Sequence, residues 1–395
     1  MNRVRPPALA LAALALLGCR SSDAPAEVPV DAAQDLVAAE AAEAAALRAI
    51  YSGPPSSWPT PTIDPGVDFF ELGLVVRPEP PDDPHHQARV ELGRMLFFDA
   101  RLSGPGQMAC ASCHDAELGW ADGRATSFGH GFQPLARNAP SILNAAFGSS
   151  LFWDGRAGSL EDQALAVFEN PNEMHSSGAA VVATLASSSG YRERFEAAFG
   201  EPGPTLERAL TAIADFERTV ISDGSSAFDA FLRGDADALD DDAVRGLHLF
   251  RTRARCANCH HGPLLTDGGF HDLGLSYYGR ELQDLGRYEV TKDPADVGRF
   301  KTPSLRNVGR TEPYMHNGLF GLDGVLNMYA AGMSTLKRKP DQADDPLFPT
   351  KSPLLKELDL DARDKADLKA FLLSLTERRR RVRPPELPAV GDLPR

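Results

Sequence analysis

The sequence predicts an all-α protein of two packed modules, and three observations lead there. The pattern Cys-X-X-Cys-His occurs twice, at 110–114 and at 256–260. Downstream of each copy stands an apolar stripe at helical spacing: Leu206, Leu210, Ile213, Phe216 and Val220 after the first, Leu368, Phe371, Leu372 and Leu375 after the second. The length, 395 residues, can hold two or three domains with proper cores, which suits two modules of roughly 150 residues each.

The repeated pattern carries its own chemistry. Two thiols three positions apart can each add to a vinyl group of one haem, and the adjoining histidine then lies under the iron as its proximal ligand. Cys110, Cys113 and His114 thus read as one covalent haem c site, and Cys256, Cys259 and His260 as a second. A zinc ribbon spaces its cysteine pairs roughly 15–20 residues apart, far closer than 110 and 256. A redox Cys-X-X-Cys needs no histidine after it.

Charge and termini narrow the setting. Lys and Arg total 41 against 55 Asp and Glu, a formal net charge of -14. Nucleic acid is therefore excluded as a natural partner, whereas a small basic electron donor would be attracted. Arg3 and Arg5 precede an apolar run at 8–17, which reads as an export signal and is too short to span a bilayer as a helix. It ends in Leu16-Leu17-Gly18-Cys19, which resembles a lipoprotein processing box with Cys19 as the acylated residue. Export agrees with the haem reading, since c-type haem is assembled in the bacterial envelope. The expected location is periplasm-facing and lipid-anchored, with the outer membrane favoured.

In chain order, 1–18 is the expected signal peptide and 19–65 a flexible spacer rich in Ala, Pro and Ser, with a solvated helix over 35–50. The first module is placed at 66–228. Its run Glu91-Leu92-Gly93-Arg94-Met95-Leu96-Phe97-Phe98 has the apolar density of a helix packing on haem, and Gly104, Pro105 and Gly106 end it before the cysteines. Asp122-Gly123, Gly129 and Gly131 mark a loop that contains His130. A helix carrying Gln163 and a turn at 170–174 follow, and a helix over 205–222 closes the module. An acidic linker at 235–242 leads to a helix through Val244, Leu247 and Phe250, the start of a second module placed at 229–377. The tail, 378–395, is basic and proline-rich and is expected to be disordered.

Taken together, these residues resemble the bacterial dihaem cytochrome c peroxidases and the MauG-like enzymes over roughly 85–377. The matching segments are Leu92-Gly93-Arg94-Met95-Leu96-Phe97-Phe98-Asp99, Gly129-His130-Gly131, Arg137-Asn138-Ala139-Pro140, Phe152-Trp153-Asp154-Gly155-Arg156, Glu173-Met174, Pro303-Ser304-Leu305-Arg306-Asn307-Val308 and Pro313-Tyr314-Met315-His316-Asn317-Gly318. The resemblance implies two cytochrome c-like haem domains packed against each other. It makes the first haem the peroxide-reacting one, with His130, sixteen residues past His114, capping the resting iron. Glu173 matches the catalytic glutamate, which moves a proton from one peroxide oxygen to the other. Gln163 matches an amide that orients the peroxide, and Trp153 an indole that carries electrons between the haems. Asn138, with the main-chain carbonyls of Thr311 and Pro313, matches a calcium site of oxygen ligands.

The second haem is where this chain departs from the pattern. The family places a sixth ligand about fourteen residues past the histidine of the Pro-Tyr-Met-His segment, methionine in peroxidases and tyrosine in MauG-like enzymes. Here Tyr329 stands thirteen past His316, with Met328 beside it and Met333 four further on. Tyr329 is favoured, Met333 and Met328 being the alternatives. A thioether ligand raises the reduction potential and suits a peroxide scavenger fed by a small cytochrome c or copper protein. A phenolate favours oxidised iron and suits an enzyme that uses peroxide to oxidise Trp or Tyr of a partner protein. A dihaem electron-transfer protein without turnover is the third reading, and a homodimer is the expected assembly.

Overall fold

Helices dominate the computed structural model, which describes residues 30–379 and 381–390. The expected signal peptide, Cys19 and the first part of the spacer lie outside the described residues, as do Arg380 and the last five residues. The α-helices are α1 (Val30–Tyr51), α2 (His86–Phe97), α3 (Leu160–Glu169), α4 (Gly178–Ala186), α5 (Ser189–Phe199), α6 (Leu206–Glu217), α7 (Ala227–Leu232), α8 (Asp241–Arg251), α9 (Tyr288–Thr291), α10 (Leu322–Ala330) and α11 (Ala362–Ser374). One small antiparallel ribbon departs from the all-α expectation: β1 (Phe270–Asp272) pairs with β2 (Arg299–Lys301), and His271 stands opposite Phe300. Strands this short carry too few residues for a period-2 signal. No helix among the described residues is long and apolar enough to cross a membrane.

Caps fix where the helices begin. Ser159, Ser177, Ser188, Thr205 and Ser226 each accept a main-chain N–H at the start of α3 to α7, satisfying donors that the first turn leaves free. The acidic stretch read as a linker does the same for α8. Asp240 accepts the Ala243 N–H at 2.8 Å, and Asp241 and Asp242 fill the first turn, where the helix dipole favours negative charge.

Among the described residues, the two largest apolar clusters are built from different helices. Leu92, Leu96, Phe168, Val181, Tyr191, Phe195 and Ile213 join α2 to α6 in the first. Val244, Leu247, Phe250, Leu326, Leu368 and Phe371 join α8, α10 and α11 in the second. Each core depends on one glycine at its closest helix contact. A Cβ on Gly93 of α2 would stand 1.7 Å from the Ala212 carbonyl oxygen of α6, and one on Gly246 of α8 would stand 2.0 Å from that of Asp367 in α11. Only a residue without a side chain lets these backbones approach so closely.

The arms outside the modules are where the composition misleads. Residues 44–65 are no free spacer: Leu47, Tyr51 and Trp58 are buried in the second core, as is Leu72. Arg251, fully buried, anchors this arm by donating to the Glu71 carboxylate, the Tyr51 hydroxyl and, at 2.8 Å, the Pro59 carbonyl. The tail is likewise held as far as residue 390. Leu387 and Val390 pack on the first core, Ser188 donates to the Ala389 carbonyl, and Arg94 donates to that of Arg383 at 2.5 Å. Neither arm shows helical or strand periodicity, so scattered anchors such as Trp58 and Leu387 leave no pattern in the sequence.

Candidate active site

Short 3-10 turns carry both cysteine pairs, Cys110–Ser112 and Cys256–Asn258, and both present their histidines in the same way. The His114 amide donates to the Cys110 carbonyl at 3.1 Å, and the His260 amide to that of Cys256 at 2.9 Å. The Nδ1 of His114 lies 3.0 Å from the Trp120 carbonyl, and that of His260 lies 3.0 Å from the Leu265 carbonyl. A carbonyl can only accept, so each Nδ1 bears the proton and each Nε2 keeps a free lone pair, the form a metal-ligating imidazole takes. Burial lowers the pKa of both rings and favours that neutral form.

A cavity of about 620 Å³ opens beside the first pair. Cys110, Cys113 and His114 line it together with Trp153, Gln163 and Glu173, so four stretches of the chain meet there. Its volume is that of a cofactor site. Two thiols, a neutral imidazole with a free Nε2 and an enclosed volume fit a covalently held haem. The loop holding Asp284 and Leu285, from the second half of the chain, also lines the cavity.

Glu173 is placed by the turn after α3. Its carboxylate accepts from the Asn170 side-chain amide at 3.0 Å, and burial raises its pKa against the opposing charge of Arg156 and that hydrogen bond. Such a carboxyl can hold a proton and release it nearer to neutral pH than an exposed one. Gln163 projects from α3 into the same cavity. The indole N–H of Trp153 donates to the Asn138 carbonyl at 2.9 Å, which fixes the plane of its ring. His316 meets that ring edge-on, and burial holds the His316 imidazole down to about 4.

Beside the second pair, the structure brings in Tyr329. The residue is half-buried, and desolvation together with the charges of Cys259 and Cys256 raises its pKa. α10 ends at Ala330, and both Gly332 and Met333 have left-handed backbones, with φ of 73° and 61°. The continuation of the helix that would set Met333 on the face of Tyr329 is therefore absent. The glycine ends it in the usual way for a residue free of Cβ clash.

His130 and the calcium candidates are placed less directly. His130 is not among the residues lining the cavity; its ring stacks on His175 with centroids 4.1 Å apart. The His130 N–H donates to the Asn172 carbonyl at 2.9 Å, tying its loop to the turn that carries Glu173. The side-chain amide of Asn138 donates to the Arg124 carbonyl at 2.8 Å and to that of Pro313 at 3.4 Å. Asn138 thus turns its amide nitrogen, the end that donates, towards both carbonyls. The Thr311 hydroxyl donates to the Val308 carbonyl at 3.3 Å.

Two features escape a reading of the sequence. Glu217, at the end of α6, is 4% exposed and lines the cavity, and one of its carboxylate oxygens has no hydrogen-bond partner. Burial pushes this carboxyl up to about 8. Arg137, within a segment already singled out, forms ion pairs with Asp154 at 2.6 Å and Asp284 at 2.7 Å, joining the two halves of the chain at the cavity rim. Position on a helical stripe gave Glu217 no signal, since the neighbouring Phe216 accounts for that face.

A helical protein with two Cys-X-X-Cys-His turns, one of them opening on a cavity with a buried carboxyl, belongs by class to the c-type haem oxidoreductases. Residues 87–237 match the di-haem cytochrome c peroxidase family (CCP_MauG). The methylamine utilization protein MauG of Methylorubrum extorquens is 40% identical over 315 residues, 79% of this chain and 84% of that one. Cytochrome-c peroxidase IdrP1 of Pseudomonas sp. (strain SCT) is 38% identical over 328 residues, 76% of this chain and 83% of that one. Among solved structures, a MauG-like protein associated with microbial copper homeostasis has a TM-score of 0.66 and 33% identity, covering 80% of this chain and 96% of that one. The chain belongs to the di-haem cytochrome c peroxidase family, and it is an oxidoreductase with peroxide as acceptor.

Proposed function

We propose that this protein reduces hydrogen peroxide to water at a haem held in the first cavity, with electrons entering through a second haem. Cys110 and Cys113 would hold the first group covalently, with His114 as the residue that ligates its iron; Cys256, Cys259 and His260 would do the same for the second. The bound haems supply the one-electron redox chemistry. The chain's own residues do the rest. Gln163 orients the peroxide by hydrogen bonding, and Glu173 takes a proton from one peroxide oxygen and delivers it to the other, so that water can leave. Trp153 passes electrons towards the cavity, and two electrons and two protons convert one peroxide into two waters. The observation that carries this reading is Glu173, a half-buried carboxyl with a raised pKa in one cavity with Cys110, Cys113 and His114. The test is peroxide-dependent oxidation of a reduced small cytochrome by wild type and Glu173→Gln, with haem content measured on both. Loss of turnover at full haem content supports the reading, whereas unchanged turnover would remove Glu173 from the proton transfer.

Tyr329 supports a second reading, in which peroxide is used to oxidise Trp or Tyr of a partner protein, because it is the phenol that lies beside the second cysteine pair. As sixth ligand it would favour oxidised iron there. Absence of cytochrome oxidation together with peroxide-dependent modification of a protein substrate would select this reading.

The remaining assignments follow from the same reading. The haem domains are 66–228 and 229–377. His130 would cap the resting first iron and withdraw when the second is reduced; its ring here stacks on His175. Asn138 with the carbonyls of Thr311 and Pro313 holds calcium. Cys19 carries a lipid anchor, which places the protein in the bacterial envelope facing the periplasm, as a homodimer.

A further inference from the structure

Trp153 is the near end of a series of packed rings. The His316 ring meets it with centroids 6.5 Å apart and planes at 71°. His316 in turn lies flat on Phe300, 3.6 Å away and 9° from parallel. Phe300 is in β2, directly opposite His271 in β1. Opposed residues of an antiparallel pair project from the same face, with Cβ atoms roughly 4.5–5.5 Å apart. His271 forms an ion pair with Asp267 at 2.8 Å, and both have ligand atoms within 4.8 Å of the Cys259 sulfur. The short ribbon, which has no counterpart in the first module among the described residues, thereby spans from the second cysteine pair to the cavity that holds Glu173.

The rings are held in place on several sides. The His316 carbonyl accepts the Asn138 N–H at 2.7 Å, and the Asn138 carbonyl accepts the Trp153 indole. The Lys301 N–H, next to Phe300, donates to the Trp153 carbonyl at 2.8 Å. Arg137 lies over the Phe300 ring, 5.6 Å from its centroid. His316 is 4% exposed and Phe300 6%, so water does not enter the stack.

We propose that His271, Phe300 and His316 are positioning residues for electron transfer, forming the leg of the route between the second haem's Cys259 edge and Trp153. This rests on the reading of Trp153 as the carrier between two haems. Electron transfer weakens steeply across gaps, so a closely packed ring series shortens the through-space steps. The three rings keep their own oxidation state. One electron leaves the second haem for each that reaches Trp153, and peroxide at the first cavity is the final acceptor.

The test uses the holoenzyme with its second haem reduced, mixed rapidly with hydrogen peroxide while re-oxidation of that haem is followed optically. Phe300→Leu and His316→Leu are compared with wild type, His316→Phe and Trp153→Phe, and midpoint potentials, haem spectra and thermal midpoints are measured on each. Both leucine variants are expected to slow re-oxidation several-fold at unchanged potentials, with His316→Phe close to wild type because the stack is kept. Wild-type rates in both leucine variants, with Trp153→Phe slow, overturn this leg and leave Trp153 as carrier. A wild-type rate in Trp153→Phe overturns the underlying reading instead. If His316→Leu fails to take up two haems, Phe300→Leu alone decides, and an unchanged rate there overturns the proposal.

Discussion

Glu173 and Asn170 are joined at 3.0 Å by a hydrogen bond from amide to carboxylate inside one turn, and that turn holds the carboxyl at the cavity wall. The amide favours the ionised form while burial opposes it, and burial is the larger effect. Glu173→Gln keeps the shape and removes the proton transfer. Peroxide turnover is expected to fall by about 10²–10⁴-fold, the usual weight of a general acid–base residue. Haem content should stay at the wild-type level, checked by the pyridine haemochrome spectrum.

Glu217 gives the stability of the protein a pH dependence. Unfolded, it ionises near its ordinary 4.5; folded, it keeps its proton up to about 8. Between those values the folded state binds more protons than the unfolded one, so its contribution to stability is complete below the lower value and is lost as pH rises through the upper. Glu217→Gln should flatten the decline between pH 5 and 8, an effect of at most a few kcal/mol. Urea denaturation at a series of pH values measures it, and parallel curves for the two proteins would refute it.

The close helix contacts predict a cost for a single methyl group. Gly93→Ala and Gly246→Ala each drive a Cβ into a carbonyl of the facing helix. Each should destabilise by about 1–3 kcal/mol, as overpacking does. Thermal unfolding of the two variants checks this, with Gly324→Ala as the control, since nothing lies within 4 Å of the Cβ it would add.

Trp58 offers a direct measure of how firmly the N-terminal arm is held. It is 7% exposed, its indole N–H donates to the Gly53 carbonyl at 2.8 Å, and Arg251 lies over its ring. Trp58→Ala is expected to destabilise by about 3–5 kcal/mol, the range for a buried aromatic. A change within experimental error would mean that the arm adds little to the second core.

The sixth ligand of the second iron is open to spectroscopy. Tyr329→Phe should change the resting EPR and optical spectra of the second haem, whereas Met333→Leu should leave them as they are. The reverse result would assign the position to methionine.

Some of this was legible in the residues alone. Cys110, Cys113, His114 and their repeat announce themselves because covalent attachment demands a fixed local spacing, and local spacing is what a sequence displays. The stripes of α6 and α11 were equally plain, since burial on one helix face imposes a period. Glu173 became prominent through resemblance, for one carboxylate in a turn has no pattern of its own. Only the tertiary structure decided that 44–72 and 383–390 are clasped to opposite cores, that Glu217 is buried in the cavity wall, and that Phe300 stacks on His316. These depend on contacts between residues far apart in the chain, which burial and close packing select and which no short-range pattern encodes.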